Sequence, residues 1–199
     1  MHVLQVDRAQ LYARLGEEIS PAEAKQYGKL LKRRLLHEPL FYIIGHREFY
    51  GFDFYVDSRV LIPRPETELL VQASLHYLKE HSHGHGQSCS IADIGTGSGA
   101  IAISLALSCP QIVVYATDIS AEALEVAKKN CQRHGVENRI HCIHGDMLKV
   151  LPQPVNLIAA NLPYIPNTEF AMLPPDIASH EPAIALKGGS DGLCLIRRL

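Results

Sequence analysis

The stretch Asp93-Ile-Gly-Thr-Gly-Ser-Gly99 lies between a short apolar run at 89–94 and a stretch that reads as a helix at 98–108. Glycines at 95, 97 and 99 allow a tight turn and let a ligand approach backbone N–H groups closely. Asp118 follows 23 residues after Gly95, at the end of the next apolar run. In doubly wound folds a carboxylate at that place receives the ribose hydroxyls of a nucleotide ligand. Strand, turn, helix, strand and acid together point to a nucleoside cofactor; the competing reading is glycines serving only a tight turn. The nicotinamide fingerprint spaces its glycines G-x-G-x-x-G, whereas this one reads Gly95-x-Gly97-x-Gly99 with an acid, Asp93, ahead of it. An acid suits the ammonium of a methionine moiety better than a pyrophosphate, which favours S-adenosylmethionine. Thr96 and Ser98 belong to the same loop. Asp146, after the third strand, is a polar anchor for an adenine amino group, or else a cap for residues 147–150.

A second set stands after the fourth apolar run, at Asn161-Leu162-Pro163-Tyr164. Ligands of open sheets gather beyond the carboxyl ends of the strands. The Asn161 amide oxygen can accept one hydrogen of a planar NH2, and the Leu162 carbonyl the other. Pro163 restricts the residue before it to extended backbone, which aims that carbonyl. Tyr164 offers a flat face to a planar group. Two acceptors favour the charge that develops on a poorly nucleophilic amide or base nitrogen during attack on a methyl sulfonium. A plain turn is the alternative.

Elements to position these groups are legible. Ser20-Pro21-Ala22-Glu23 carries the marks of a capped helix start, and residues 1–50 read as helical. Leu4, Leu11, Leu15 and Ile19 fall on one face of the opening segment. In the helix from Pro21, Tyr27, Leu30, Leu31 and Leu35 form the apolar stripe and a run of lysines and arginines the wet face. Aromatic residues in period-two alternation over 39–62 suggest a hairpin with Gly51 near its turn. A helix follows from Glu66 to Leu78, with Leu69, Leu70, Ala73 and Leu78 inward. The histidine-alternating segment at 81–88 reads as an exposed loop and not a metal site. From residue 89 the pattern is β-α-β-α-β-β, with unbroken apolar strands (89–94, 111–116, 139–143, 155–160) between amphipathic helices (98–108, 120–134). That pattern gives a parallel sheet covered on both faces.

Composition narrows the class further. The chain has 199 residues, 47% hydrophobic and 20% charged, with 19 basic against 21 acidic side chains. This is ordinary globular chemistry, without the basic excess of a nonspecific nucleic-acid binder. No apolar stretch approaches the ~18 residues of a membrane span, and the first ten residues lack a secretory leader's pattern, so a cytoplasmic protein is expected. Five cysteines without a CxxC disfavour a disulfide scaffold or a zinc knuckle.

The chain resembles the peptide chain release factor glutamine N5-methyltransferases. The resemblance runs through 61–68 (Leu-Ile-Pro-Arg-Pro-Glu-Thr-Glu), 91–103, 116–119, Gly145-Asp146, 161–165 and 181–192. It implies a Rossmann-like class I methyltransferase: a doubly wound, mostly parallel α/β sheet behind a small helical domain and a hairpin. The domains implied are 1–45 for substrate recognition, 46–65 for hairpin and linker, and 66–199 for catalysis. The implied cofactor is S-adenosyl-L-methionine, leaving as S-adenosyl-L-homocysteine, with no metal. The implied partner is a release factor, methylated on the glutamine of its Gly-Gly-Gln loop, with no direct nucleic acid and no membrane. Asp93, Gly95, Thr96, Gly97, Ser98, Gly99, Asp118, Asp146, Met147 and Asn161 would contact the cofactor. Asn161, Leu162, Pro163 and Tyr164 would form the catalytic clamp; Leu162 replaces the family's usual proline but keeps the carbonyl. The family's helical domain begins earlier than Met1 and its sheet continues past Leu199, so a chain truncated at both ends with an incomplete sheet is expected. Alternatives are a glutamine methyltransferase acting on a large-subunit ribosomal protein, an adenine N6 DNA methyltransferase, and an inactive cofactor-binding remnant. The Pro63–Thr67 segment favours the release-factor branch over the ribosomal one.

Overall fold

A computed structural model describes residues 1–81 and 89–199. The histidine-alternating segment therefore lies, apart from His81, outside the described residues. Two helices open the chain, α1 (Arg8–Ala13) and α2 (Pro21–Leu35). At the start of α2 the Ser20 hydroxyl accepts from the Glu23 N–H, and the Glu23 carboxylate accepts from the Ser20 N–H. This reciprocal cap satisfies two N–H groups that have no partner inside the helix. Asp7 and Gln10 do the same for α1.

The apolar faces expected here are not buried. Helix α1 ends at Ala13, and Leu15 and Ile19 stand exposed beyond it. Tyr27, Leu31 and Leu35 of α2 are exposed as well. Three-to-four spacing makes a stripe, but burial needs a second surface; the short helix Leu40–Ile44 touches α2, yet of the stripe only Leu30 is half-buried.

A short helix α3 (Leu40–Ile44) leads into a hairpin, β1 (His46–Phe49) and β2 (Phe52–Tyr55). Its two-residue turn holds Tyr50 and Gly51, both at positive φ (53° and 76°), the twist that suits a tight hairpin. Phe49 and Phe54 meet edge-on with centroids 6.1 Å apart and sit wholly inside the main core.

Pro65–Thr67 forms a 3-10 turn ahead of helix α4 (Glu68–His81). The inward face of α4 is Val71, Ser74 and Leu78, while Leu69 and Ala73 are exposed. Leu78 faces inward as expected and Leu70 is half-buried against the core, while Val71 and Ser74 take the places expected of Leu69 and Ala73.

The body follows as β3 (Ser90–Ile94), α5 (Ala100–Ser108), β4 (Val113–Asp118), α6 (Ala121–His134), β5 (Ile140–His144) and β6 (Leu157–Ala160). Between the last two strands the chain forms a single 3-10 segment, Met147–Val150. The four strands pair in parallel in the order β5-β4-β3-β6, a Rossmann-like sheet whose outer strands each pair on one side among the described residues. Helix α6 is amphipathic as expected, with Ser120 capping the Ala123 N–H. Helix α5 is not: Ala100 through Ala106 are all buried. It packs against the sheet on one side and α4 on the other, so an apolar circumference is what its place requires.

Two short helices, α7 (Asn167–Phe170) and α8 (Pro175–Ala178), follow β6. No helix among the described residues is long and apolar enough to cross a membrane. All five cysteines are free thiols.

Candidate active site

From β3 the chain moves outward through β4 to β5, then returns to place β6 on the other side of β3. Between β3 and β6 the winding reverses, and crevices for ligands open at such points. Register brings the strand ends level: Ile94 pairs with Ala160 and with Thr117, and Asp118 with His144. The glycine loop, the Asp118 loop, the Gly145–Met147 loop and the Asn161 loop therefore leave the sheet at one height.

Between these loops lies a cavity of about 290 Å³. Gly95, Thr96, Gly97 and Ser98 form one wall, with Gly95 and Gly97 at φ of 72° and 55°, a region side chains disfavour. Asp118, Asp146 and Met147 line it from the neighbouring loops, and Asn161, Leu162 and Pro163 from β6. The Asp118 carboxylate is set by two backbone N–H groups at 2.9 Å: Gly97 donates to Oδ2 and Ser120 to Oδ1. Asp146 makes no side-chain cap for residues 147–150. Instead it accepts from Lys149 at 2.7 Å and from Arg198 at 2.7 and 2.9 Å. Hydrogen bonding from Lys149 foremost, with Arg198 adding to it, holds its carboxyl below the ordinary range.

Gly99 and Asp93 are placed differently from expectation, lining no cavity of the site. A Cβ on Gly99 would meet Ile103 Cδ1 at 3.1 Å and Ala127 Cα at 3.4 Å, so this glycine serves the close approach of α5 to α6. Asp93 is fully buried. Its Oδ2 accepts from the Thr96 hydroxyl at 2.7 Å and the Ala102 N–H at 3.1 Å, and Oδ1 has no partner. It braces the base of the glycine loop and does not reach into the crevice.

Burial pushes the Asp93 carboxyl from its ordinary 3.8 up to about 6, against the pull of its two donors. Between those values the folded chain holds a proton that the unfolded chain has released, so stability falls as pH rises through the window. Relative to Asp93→Asn, the wild type is expected to lose on the order of 2 kcal/mol between pH 4 and pH 7. Urea midpoints of both proteins across that range measure it; parallel curves would assign the pH dependence elsewhere.

A second cavity of about 380 Å³ adjoins the first. Asn161, Leu162, Arg64 and Thr67 line both. Tyr164 lines only the second and is 64% exposed, which leaves its ring accessible. Asn161 Nδ2 donates to Thr67 Oγ1 at 3.2 Å. The Leu162 side chain is buried against Ala92 and Ile94, and a Cβ on Gly95 would lie 3.5 Å from it.

Two further features come from segments the sequence reading gave no chemical role. Glu181, 5% exposed, accepts from Arg64 at 2.5 Å and from the Ile62 N–H at 3.3 Å. Desolvation raises its carboxyl, and Arg64 opposes that rise. An acid set between His180 and Pro182 gives no periodic signal; the arginine between two prolines, Pro63-Arg64-Pro65, is the mark that could have paired the two.

The second feature is the glycine-rich segment at 188–192. Gly188 donates to Ile165 O at 2.8 Å, Ile165 to Leu186 O at 3.0 Å, and Asn167 to Gly189 O at 2.8 Å. These bonds splint the chain just after Tyr164. A Cβ on Gly192, at φ 79°, would lie 2.3 Å from Tyr164 O. Gly192→Ala is thus expected to destabilise by about 1–3 kcal/mol through overpacking and backbone strain. Gly16→Ala, where a Cβ meets nothing within 4 Å, is the control. Equal urea midpoints for the two variants would contradict the splint.

Similarity to known proteins agrees with this architecture. The family described as methyltransferase small domain matches residues 67–173, and that described as PrmC N-terminal domain matches residues 1–45. Among solved structures, the hMettl16 catalytic domain, determined with a MAT2A 3′UTR hairpin, superposes with TM-score 0.56 at 19% identity. The match covers 75% of this chain and 55% of that one, a likeness of fold. A release factor glutamine methyltransferase from Chlorobaculum tepidum is 42% identical over 93% of this chain and 65% of its own length. That of Bacillus cereus is 40% identical over 99% and 69%, and that of Bordetella pertussis 42% identical over 100% and 71%. The chain thus spans about two thirds of these relatives. With such identity sustained from the first helices to the glycine splint, the chain belongs to the release factor glutamine methyltransferase family.

Proposed function

We propose that this chain binds S-adenosylmethionine in the first cavity and a glutamine side chain in the second, and methylates the amide nitrogen of that glutamine in the Gly-Gly-Gln loop of a release factor. One observation carries the reading: Asn161 and Leu162 stand in the wall common to both cavities. A methyl donor in one and an amide in the other would meet at that wall.

The lining suits the cofactor. Asp118 is an acceptor for vicinal hydroxyls, held open to them by Gly97 and Ser120. Gly95 and Gly97 keep Cβ atoms out of the space against the loop. Met147 and Asp146 flank the position for an adenine, apolar against its ring and acceptor toward its amino group. Bound there, S-adenosylmethionine supplies an electrophilic methyl on a cationic sulfur.

The rest is the work of this chain's residues. Asn161 Oδ1 and the Leu162 carbonyl accept the two hydrogens of the substrate NH2, which localises the nitrogen lone pair toward the donor. Pro163 fixes the carbonyl's direction, and Tyr164 packs on the carboxamide plane. Neither acceptor is a base; the surplus proton leaves to water after transfer.

Residues 1–45 form a recognition domain for the release factor, 46–65 a hairpin and linker, and 66–199 the catalytic domain. The setting is the cytoplasm, where release factors work. Methyl transfer to release factors carrying Gly-Gly-Gln or Gly-Gly-Ala, beside a DNA substrate, tests the reading. Transfer confined to Gly-Gly-Gln is expected; a preference for DNA would replace glutamine by the exocyclic amine of adenine.

A further inference from the structure

Asn161 serves as an acceptor only when its amide nitrogen is turned away from the incoming NH2. A carboxamide has two orientations about its terminal torsion that differ little in shape. Reversed, it would set N–H against N–H and forfeit the acceptor. Here Nδ2 lies 3.2 Å from Thr67 Oγ1.

We infer that Thr67 is a positioning residue for methyl transfer: its hydroxyl oxygen holds Asn161 Nδ2 and so leaves Asn161 Oδ1 for the substrate amide. The inference rests on the clamp proposed above and adds to it the group that orients the clamp. Thr67 and Asn161 are 94 residues apart in sequence yet line the same two cavities.

The hydroxyl is itself held firmly. Thr67 closes the 3-10 turn Pro65–Thr67, its N–H donating to Arg64 O at 3.0 Å. Arg64 is tied to Glu181, whose side chain is 2% exposed, and Glu181 also accepts from the Ile62 N–H. Prolines at 63 and 65 lock φ on either side of Arg64. A threonine hydroxyl can donate or accept. Because Nδ2 faces it, Thr67 accepts, and a substrate NH2 selects the same orientation from the other side. Acceptors fixed before the substrate arrives cost no reorganisation during reaction.

The test compares Thr67→Val, which keeps the shape and removes the hydroxyl, with Thr67→Ser, Asn161→Ala and the Thr67→Val/Asn161→Ala double variant, all in the full chain. Thr67→Val is expected to lower the single-turnover rate at saturating release factor about tenfold, equivalent to about 1.4 kcal/mol, with cofactor affinity unchanged. Thr67→Ser stays within about twofold of wild type, and the double variant is no slower than Asn161→Ala. In ¹⁵N–¹H spectra the Asn161 side-chain amide pair, assigned by its loss in Asn161→Ala, shifts in Thr67→Val and holds its place in Thr67→Ser. That readout needs no turnover. An unmoved amide pair in Thr67→Val, a wild-type rate for that variant beside an impaired Asn161→Ala, or additive losses in the double variant would overturn the inference and leave the clamp standing. A wild-type rate for Asn161→Ala would remove the clamp itself.

Discussion

Asn161→Ala is expected to lower the single-turnover rate of methyl transfer roughly a hundredfold, far more than it lowers S-adenosylmethionine affinity. The asymmetry follows from where Asn161 sits. Its carboxamide lies in the wall common to the two cavities and is anchored at Thr67, outside the glycine loop and the Asp118 loop. In the proposed clamp its acceptor oxygen acts most strongly when charge builds on the substrate nitrogen, and the loss of one such hydrogen bond is worth ~3 kcal/mol of barrier. Asn161→Asp is impaired as well. A carboxylate accepts, but it cannot donate to Thr67, and its charge changes the electrostatics between cofactor and substrate. Leu162→Pro restores the family's usual residue and keeps the carbonyl, so the transfer rate is retained. The structure adds a cost for that change: the buried Leu162 side chain packs on Ala92 and Ile94, and removing it lowers stability. Quench-flow rates with calorimetric cofactor titrations separate these effects. A rate within a few-fold of wild type for Asn161→Ala would take the residue out of the mechanism.

The second large effect belongs to the cofactor side. Asp118→Ala is expected to weaken S-adenosylmethionine and S-adenosylhomocysteine binding by ~1.5–3 kcal/mol, from loss of charged hydrogen bonds to the ribose. The variant also strands two donors, Gly97 N–H and Ser120 N–H, that the carboxylate now holds at 2.9 Å. The glycine loop loses its tether at the same time as the ligand loses its acceptor. Asp118→Asn, which keeps one acceptor oxygen, falls between alanine and wild type. Calorimetry with both nucleosides and with NAD decides the matter. Unchanged affinity in Asp118→Ala, or tighter binding of NAD than of S-adenosylmethionine, would contradict the assignment.

Why some features are legible in the sequence and others are not has physical causes. The Ser20–Glu23 cap is local, four residues specifying their own hydrogen bonds, and needs no tertiary context. The apolar strands and the loops between them are nearly local too; that β6 pairs on the far side of β3, which sets the switch and the level of the four loops, shows only in the fold. Burial is not local. The α2 stripe has ideal spacing, yet Tyr27, Leu31 and Leu35 lie in solvent, whereas α5 lacks a polar face because two layers enclose it. In α4, Leu78 is inward as its apolar character suggests, but which residues join it, Val71 and Ser74 in place of Leu69 and Ala73, is set by the side that meets the core.

The site divides in the same way. Motif position brought the glycine loop, Asp118, Asp146 and Asn161 into view, with Met147 added by the family resemblance. It could not say that Gly99 serves packing between α5 and α6, since a glycine for a ligand and a glycine for a helix look alike in one dimension. Nor could it say that Asp93 turns inward to Thr96 and Ala102. The Arg64–Glu181 pair and the Asn161–Thr67 contact span 117 and 94 residues. Contacts at such separations have no spacing rule; only the fold shows them.

Where the methyl group goes decides whether this chain acts on the release-factor glutamine. The direct measurement is mass-spectrometric mapping of the methyl group after incubation of the chain with isotope-labelled S-adenosylmethionine, an intact release factor and its Gly-Gly-Ala variant. The predicted result is a single labelled methyl on the side-chain nitrogen of the Gly-Gly-Gln glutamine and none on the alanine variant. Label on another residue, equal label on both proteins, or no label on the release factor while DNA is methylated would contradict it.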